Sequence, residues 1–417
     1  MKKSVYIIQC PPSWTKTAPL SLVYLENYLK SKSIKVKTRD LNNELFKTYA
    51  ANSKTWLALD DNFEKNLFPQ TKITLLPFLD SFYKDIVDYE YIGFSLLKRN
   101  TDFSFSLANE IRKKFPSKKI IFGGPQVLFM KWKKCLNDTD FWVIGEGEMP
   151  LLKILSGEQN KTYHHEEITN LDDLDFLDFS CLDMLNYSNS IPILSSRGCK
   201  FNCNFCAEKE LFKGLRHHSA GYMIELINKL KKEHNTNSFI FSDSLINYDN
   251  AWLNDFCSSL IKKNMNIKWE AQIRVDKNFD TNLSRIMQKS GCYNLFIGLE
   301  SASDKTLKNM NKGFSAQAAA DFLSTLKSAD LQFEISLIFG YPGETEADFR
   351  ETLDFIIKNK RIIPKIAQAN PFVDYLDNFP QSIFPSKIAK ERIAAFLKVI
   401  ENEKIKYTKS FINNLVY

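Results

Sequence analysis

Residues 191–208 read IPILSSRGCKFNCNFCAE, and three of the chain's eight cysteines, Cys199, Cys203 and Cys206, fall within this stretch. They form a C-x3-C-x2-C pattern directly after a short apolar run that reads as a strand. The remaining cysteines, Cys10, Cys135, Cys181, Cys257 and Cys292, are too scattered for a disulfide scaffold and are expected to be buried, inert thiols. The crowded three point to metal. A compact loop can bring three thiolates onto one iron–sulfur cluster, and three protein ligands on a four-iron cluster leave one iron open to a substrate or cofactor. Zinc is the main metal rival, but structural zinc takes four protein ligands. His217 and His218 lie nearby, yet adjacent histidines seldom both reach one site. A chance group of unliganded thiols is the bland alternative.

From residue 191 onward, the segments IPILSS before the loop and NSFIFSD, IKWEAQIR, YNLFIGLE, LQFEISLIFG and IPKIAQANPF after it alternate with amphipathic helical stretches such as AWLNDFCSSLIKK and EADFRETLDFIIKN. Strands alternating with helices predict a parallel sheet, and these units are too few for the eight-fold closed barrel, so an open partial (βα)6 barrel is expected over 191–370. Residues 371–417 are expected to add a helix, KIAKERIAAFLKVIENE, and a tail over the barrel mouth.

Upstream, the runs VYIIQC, YIGFSLL, KKIIFGG and FWVIGEGE alternate with helical segments and predict a doubly wound, Rossmann-like α/β domain over 1–155. Its strands end in Pro11-Pro12, Gly123-Gly124 and Gly145-Glu146, and ligands of open parallel sheets bind outside the carboxyl ends of strands. The polar, acidic stretch 156–190 reads as a linker, with His164 and His165 expected to be solvated. A nicotinamide-binding fingerprint is not met, because Gly145-Glu146-Gly147 follows the last strand and lacks the third glycine.

An apolar fraction of 44% with 25% charged residues fits a globular chain rather than a disordered one. No apolar run approaches the roughly 18 residues of a membrane-spanning helix, and the start, MKKSVYIIQCPP, lacks a leader's cleavage site. A cytoplasmic location is expected. The net charge of +7 is a small excess at this length, and no arginine-rich stripe indicates nucleic-acid binding.

The cysteine loop, with the aromatic Phe205 before the last cysteine, resembles the signature of the radical S-adenosylmethionine (radical SAM) superfamily. That resemblance implies a 4Fe-4S cluster on Cys199, Cys203 and Cys206 whose open iron binds the amino and carboxylate groups of SAM. One electron then cleaves SAM to methionine and a 5′-deoxyadenosyl radical, drawn from a donor such as flavodoxin or ferredoxin. Further segments resemble the family's SAM-binding strand ends, which makes Asp243 and Ser244 candidates for the methionine amino group, and Gln272 and Arg274 for neighbouring contacts, Arg274 pairing the carboxylate. Glu300 and Ser301 would reach the ribose, Ile338 would pack on adenine, and Gly340 and Gly343 would allow the turn. Each has a structural alternative, as a helix cap or an ion-pair partner.

The first domain resembles the cobalamin-binding domain that precedes the barrel in one radical SAM subfamily. The implied contacts are Pro11, Pro12, Ser95, Leu96, Asn100, Gly123, Gly124, Gly145 and Glu146. The D-x-H-x-x-G loop that supplies a cobalt-ligating histidine in other cobalamin domains is absent, and no histidine precedes His164. Together these features imply a cobalamin-dependent C-methyltransferase in which one SAM methylates the corrinoid and a second generates the radical that activates an unactivated carbon. The rivals are a radical SAM enzyme of the same architecture that does not methylate, a degenerate first domain without cobalamin, and a non-catalytic metal-bound module. A small metabolite or a short peptide is the expected substrate.

Overall fold

The computed structural model describes residues 3–49, 56, 79–129, 140–374 and 387–408. The chain divides into two compact α/β units, the first comprising Met1–Ile191 with Glu210–Lys213, the second Pro192–Lys209 with Gly214–Tyr417.

In the first unit, β1 (Ser4–Gln9), β2 (Lys35–Asp40), β3 (Tyr91–Ser95), β4 (Lys119–Gly123), β5 (Phe141–Ile144) and β6 (Thr162–His164) form one parallel sheet in the order β2-β1-β3-β4-β5-β6. Strand alternation explains why both faces are covered. Val5 and Ile7 enter one apolar cluster with Leu22 and Leu29 of the helix Leu20–Ser31, while Tyr6 and Ile8 enter another with Phe103 and Leu107 of the helix Thr101–Lys114. The chain direction reverses between β1 and β3, the switch point at which doubly wound sheets bind ligands. Two strands were not expected. The polar edge strand β2, KVKTRD, falls where no element is predicted, and the short β6 lies in the stretch read as linker. The stretch 156–190 therefore belongs to the first unit: β6 extends its sheet, and Tyr187 Oη donates to Asp40 Oδ2 at 2.6 Å.

In the second unit, β7 (Ile191–Ile193) leads to a small antiparallel ribbon of β8 (Ser196–Arg197) with β9 (Arg216–His217), and then to β10 (Ser238–Phe241), β11 (Lys268–Ile273), β12 (Cys292–Glu300), β13 (Phe333–Phe339) and β14 (Ile366–Pro371). The main sheet runs β14-β13-β12-β11-β10-β7, each strand beside its sequence neighbour, as the open partial barrel requires. Alternate residues such as Trp269, Leu295, Ile297 and Phe339 are buried, and rings from the helices Asn250–Lys262 and Glu346–Lys358 meet Trp269 and Phe339. The intervening positions Glu270, Phe296, Glu300 and Ile338 are half-buried and line the opposite face. The helix Lys387–Asn402 packs Phe396 against Phe339, and residues beyond it add a bridge between Ile366 and Tyr407. The tail from 409 and Cys135 lie outside the described residues.

Gly124 separates local geometry from ligand binding. Its φ is +94°, and a Cβ there would stand 2.5 Å from the Leu96 carbonyl oxygen. The β4 turn needs this glycine to pass the end of β3, whatever binds outside it. Gly124→Ala is expected to destabilise the ligand-free first unit by about 1–3 kcal/mol, read as a lower denaturant midpoint; an unchanged midpoint would contradict this.

Candidate active site

The cysteine loop begins at Gly198, whose φ of +81° turns the chain out of β8. Little hydrogen bonding lies within the loop itself: Phe201 N donates to Cys199 Sγ at 3.5 Å and Cys206 N to Cys203 O at 3.2 Å. The turn after the helix Asp304–Asn309 supplies the rest. Asn204 N donates to Met310 O at 3.0 Å, Asn204 Nδ2 to Asn309 O at 2.7 Å, and Asn311 Nδ2 to Asn202 O at 2.7 Å. Cysteine loop and turn thus form one clamped pair.

Burial pushes the Cys206 thiol up to about 11, with Glu208, Cys203 and Cys199 adding to the rise, and burial raises the Cys199 thiol as well. The Cys199 and Cys206 thiols therefore sit in a low-dielectric neighbourhood, where a bound cation would favour their thiolate forms. Among the described residues no three Cys, His, Asp or Glu side chains converge on a single-ion site. Thiolates that bind different irons of a cluster stand farther apart than the ligands of one ion. The loop fits a cluster better than zinc.

Arg274, just past β11, is buried against this loop. Nη1 donates to Cys203 Sγ at 3.1 Å, Nη2 donates to the Lys312 carbonyl, and the guanidinium lies 4.0 Å from the centroid of the Phe201 ring. It serves the cysteine loop directly, rather than standing free for a carboxylate. Gln272, two residues earlier, has an exposed side chain.

Glu300 holds a left-handed backbone, φ +69°, where the β12–β13 register shifts. A β-bulge re-aims a side chain, and a non-glycine residue in this region is a recurrent mark of functional sites. The Glu300 carboxyl is raised by burial and lowered in part by Lys312, whose Nζ stands 3.6 Å from Oε1 and donates to Gly298 O at 2.8 Å. A Cβ on Gly298 would lie 2.4 Å from Glu300 Oε1, so the glycine makes room for this carboxylate. Phe205 and Ile338 pack against the buried cluster of Met310, Tyr341 and Phe372, which joins the cysteine loop to the ends of β13 and β14. Gly340, φ +75°, donates its N–H to Glu344 Oε2 at 2.7 Å.

Other expected contacts are engaged within the protein. Asp243 is fully buried and accepts from Ser195 N at 3.0 Å, Ser195 Oγ at 2.7 Å and Ser196 Oγ at 2.6 Å, which ties the end of β10 to the entry of the cysteine loop. It is a brace, not a free acceptor for an ammonium. Ser301 is also buried, paired with Thr352 Oγ1 at 3.2 Å. Ser244 remains exposed and donates to Glu208 of the helix Glu208–Leu211. The sequence reading overlooked Lys312, Phe201 and Glu208; a lysine in the loop NMNKGF twelve positions after Glu300 carries no signal of its own.

At the carboxyl edge of the first sheet, Pro11, Pro12, Ser95, Leu96 and Glu146 are buried, and Gly123 and Gly124 are half-buried. The Asn100 side chain accepts from Leu97 N at 2.7 Å and donates to Cys10 O and Ser95 O, so it staples β1 to β3 and has no group left for a ligand. Gly145, φ +90°, faces the Leu211 carbonyl and His165 Nδ1, each just over 3 Å from where its Cβ would be. His165 is half-buried with Nδ1 enclosed, not solvated, but it follows directly on the edge strand β6, which lies three strands and about 14 Å from β3. Trp14 is 57% exposed although its loop is pinned: Ser13 N donates to Asn42 Oδ1 at 2.8 Å and Asn42 Nδ2 to Trp14 O at 3.2 Å. Cys10, Cys257 and Cys292 are buried, as expected, and Cys181 is half-buried. No helix among the described residues is long and apolar enough to cross a membrane.

Burial pushes the Asp243 carboxyl up to about 6, against the opposing hydrogen bonds from Ser195 and Ser196. A raised carboxyl pKa means the folded state binds more protons than the unfolded one between about pH 4 and 6, so this residue's contribution falls as pH rises through that window. Asp243→Asn is expected to flatten the pH dependence of the second unit's denaturation midpoint over this range, by an amount on the order of 3 kcal/mol. An identical slope in both proteins would contradict it.

Residues 193–356 match the family model of the radical SAM superfamily. Among curated proteins, an uncharacterized methyltransferase of Pyrococcus horikoshii is 28% identical over 57% of this chain and 58% of its own length. The solved structure of the cobalamin-dependent S-adenosylmethionine radical enzyme OxsB, with aqua-cobalamin and S-adenosylmethionine bound, superposes with a TM-score of 0.68 at 17% identity, over 99% of this chain and 56% of that one. The radical S-adenosylmethionine methyltransferase TsrM from Kitasatospora setae, with cobalamin and a [4Fe-4S] cluster bound, gives 0.66 at 13% identity, over 94% of this chain and 79% of that one. This chain thus spans a little over half the length of the Pyrococcus protein and of OxsB. At such identities the two structures establish a shared fold. The three-cysteine loop and the strands from β8 to β13 thus lie within the stretch, 193–356, that matches the radical SAM superfamily.

Proposed function

We propose that this chain is a cobalamin-dependent radical SAM C-methyltransferase that acts on an unactivated carbon of a small molecule or short peptide. The observation that carries the reading is the pairing, in one chain, of the three-cysteine loop with a separate sheet of order β2-β1-β3-β4-β5-β6. The relatives named as methyltransferases support it. When bound, the cluster supplies one electron for SAM cleavage and the corrinoid carries the methyl group.

Cys199, Cys203 and Cys206 would hold the cluster. Arg274, donating to Cys203 Sγ, fixes one ligand's sulfur, and its positive charge opposes the rise that burial imposes on the Cys199 thiol. Glu300 and Lys312 present a carboxylate and an ammonium side by side on the β12 end, suited to the hydroxyl and carboxylate groups of SAM. Ile338 offers an apolar surface for adenine beside Gly340, and Gln272 an exposed amide on β11, two strands away. Gly123 and Gly124, with the pinned loop around Trp14, would meet the corrinoid at the β1/β3 switch point. His165 lies too far along the sheet to reach a cobalt held there. A flavodoxin- or ferredoxin-type donor and a cytoplasmic, reducing setting complete the proposal, in keeping with the free thiols among the described residues.

One observation favours the non-methylating alternative with a scaffold first unit: Asn100, Gly124 and Gly145 have structural explanations that need no ligand. The two readings separate in anaerobically reconstituted protein. Methylation retains corrinoid absorbance after desalting and, in turnover with a competent substrate, yields S-adenosylhomocysteine together with 5′-deoxyadenosine. Deoxyadenosine alone, from protein that retains no corrinoid, would select the alternative. Cys203→Ala is expected to abolish deoxyadenosine formation in either case.

A further inference from the structure

Arginine is rarely buried without a purpose that compensates its desolvation. Arg392 sits on the inner face of the helix Lys387–Asn402 with its side chain only 9% exposed, its guanidinium 5.7 Å from the centroid of the Phe349 ring. Its Nη1 pairs with Glu344 Oε2 and its Nη2 donates to the Glu344 carbonyl at 3.3 Å. Glu344 is itself buried, and the same Oε2 accepts Gly340 N. One oxygen of Glu344 thus joins Gly340, the first residue of the turn after β13, to Arg392, 48 positions beyond Glu344.

That turn, GYPGE, contains Gly340 and Gly343 at φ +75° and +82° and closes with one backbone hydrogen bond of its own, Glu344 N to Tyr341 O at 2.9 Å. What it carries matters to the site. Tyr341 packs in the cluster with Phe205 and Ile338, and its hydroxyl donates to Asn309 O at 3.2 Å, in the clamp that holds the cysteine loop. As a stabilising element the ion pair is poor: Glu344 Oε1 and Arg392 Nε are both buried without a hydrogen-bond partner among the described residues. Buried pairs satisfied this incompletely contribute little net stability and are better explained by the position they fix.

We propose that Arg392 is a positioning residue for SAM: through Glu344 it sets the Gly340–Glu344 turn, and with it Ile338 and Tyr341, making the C-terminal helix a working part of the SAM site. The inference rests on the SAM-binding role given above to the end of β13. The test uses the reconstituted full chain, with SAM as the probe, and the variants Arg392→Met, Arg392→Lys and Glu344→Gln. Arg392→Met is expected to weaken SAM binding in equilibrium dialysis by about tenfold. It should also speed hydrogen exchange across 340–345, while iron content and cluster absorbance stay at wild-type values. Arg392→Lys should recover part of the affinity, and Glu344→Gln should reproduce the loss if Arg392→Met does not fold. Folded variants that bind SAM as tightly as wild type, with unchanged exchange at 340–345, would overturn the proposal even if their thermal stability falls. Wild-type protein that binds no SAM at all would instead remove the reading on which it rests.

Discussion

The cysteine loop cannot hold itself together. It has few hydrogen bonds of its own, begins at a glycine in the left-handed region, and must keep three thiols in register while burial disfavours the charged forms of Cys199 and Cys206. The constraint is met from outside, by the Asn309–Lys312 turn that clamps its backbone and by Arg274, which grips Cys203 and the Lys312 carbonyl at once. Each neighbouring feature of the second unit can be traced to that requirement. Asp243 braces the entry to the loop, Phe205 seats it on the Met310, Tyr341 and Phe372 cluster, and the β13 turn steadies that cluster in turn.

How far the sequence carries a reader depends on the range of the interaction concerned. The core strands β10–β13 were legible because apolar and polar residues alternate over several positions, and the cysteine spacing is a local pattern. β2 escaped because KVKTRD is an edge strand with mostly solvated side chains, and β6 because three residues carry no periodicity. Polar residues at strand ends could be picked out, but not assigned. Asp243 and Ser195 are 48 positions apart, and Ser301 and Thr352 are 51 apart, so whether a side chain faces a ligand or a distant strand is decided by contacts that no spacing reveals. The Arg274 guanidinium likewise turns to the cysteine loop, 71 positions away in sequence.

The glycines of the first unit carry a related lesson. Glycine at the end of a parallel strand can mean close approach of a ligand, or close approach of the protein's own backbone. At Gly124 the intruding atoms are those of Leu96, and at Gly145 those of Leu211 and His165. Beside the half-buried Gly123 and Gly124, the β1/β3 switch point also presents the loop of Trp14, whose backbone is fixed by Asn42 while its indole stays exposed. A rigid loop that presents an aromatic face is the kind of surface a large planar ligand requires.

The central claim is that three thiolates leave one iron of a cluster open to SAM. Electron paramagnetic resonance of the anaerobically reconstituted, reduced protein, recorded with and without SAM, tests it most directly. An open iron predicts the signal of a reduced four-iron cluster that changes when SAM is added, and loss of that change when excess cyanide or another small ligand competes for the same iron. A cluster signal indifferent to SAM, or protein that holds zinc and no iron, would contradict the claim.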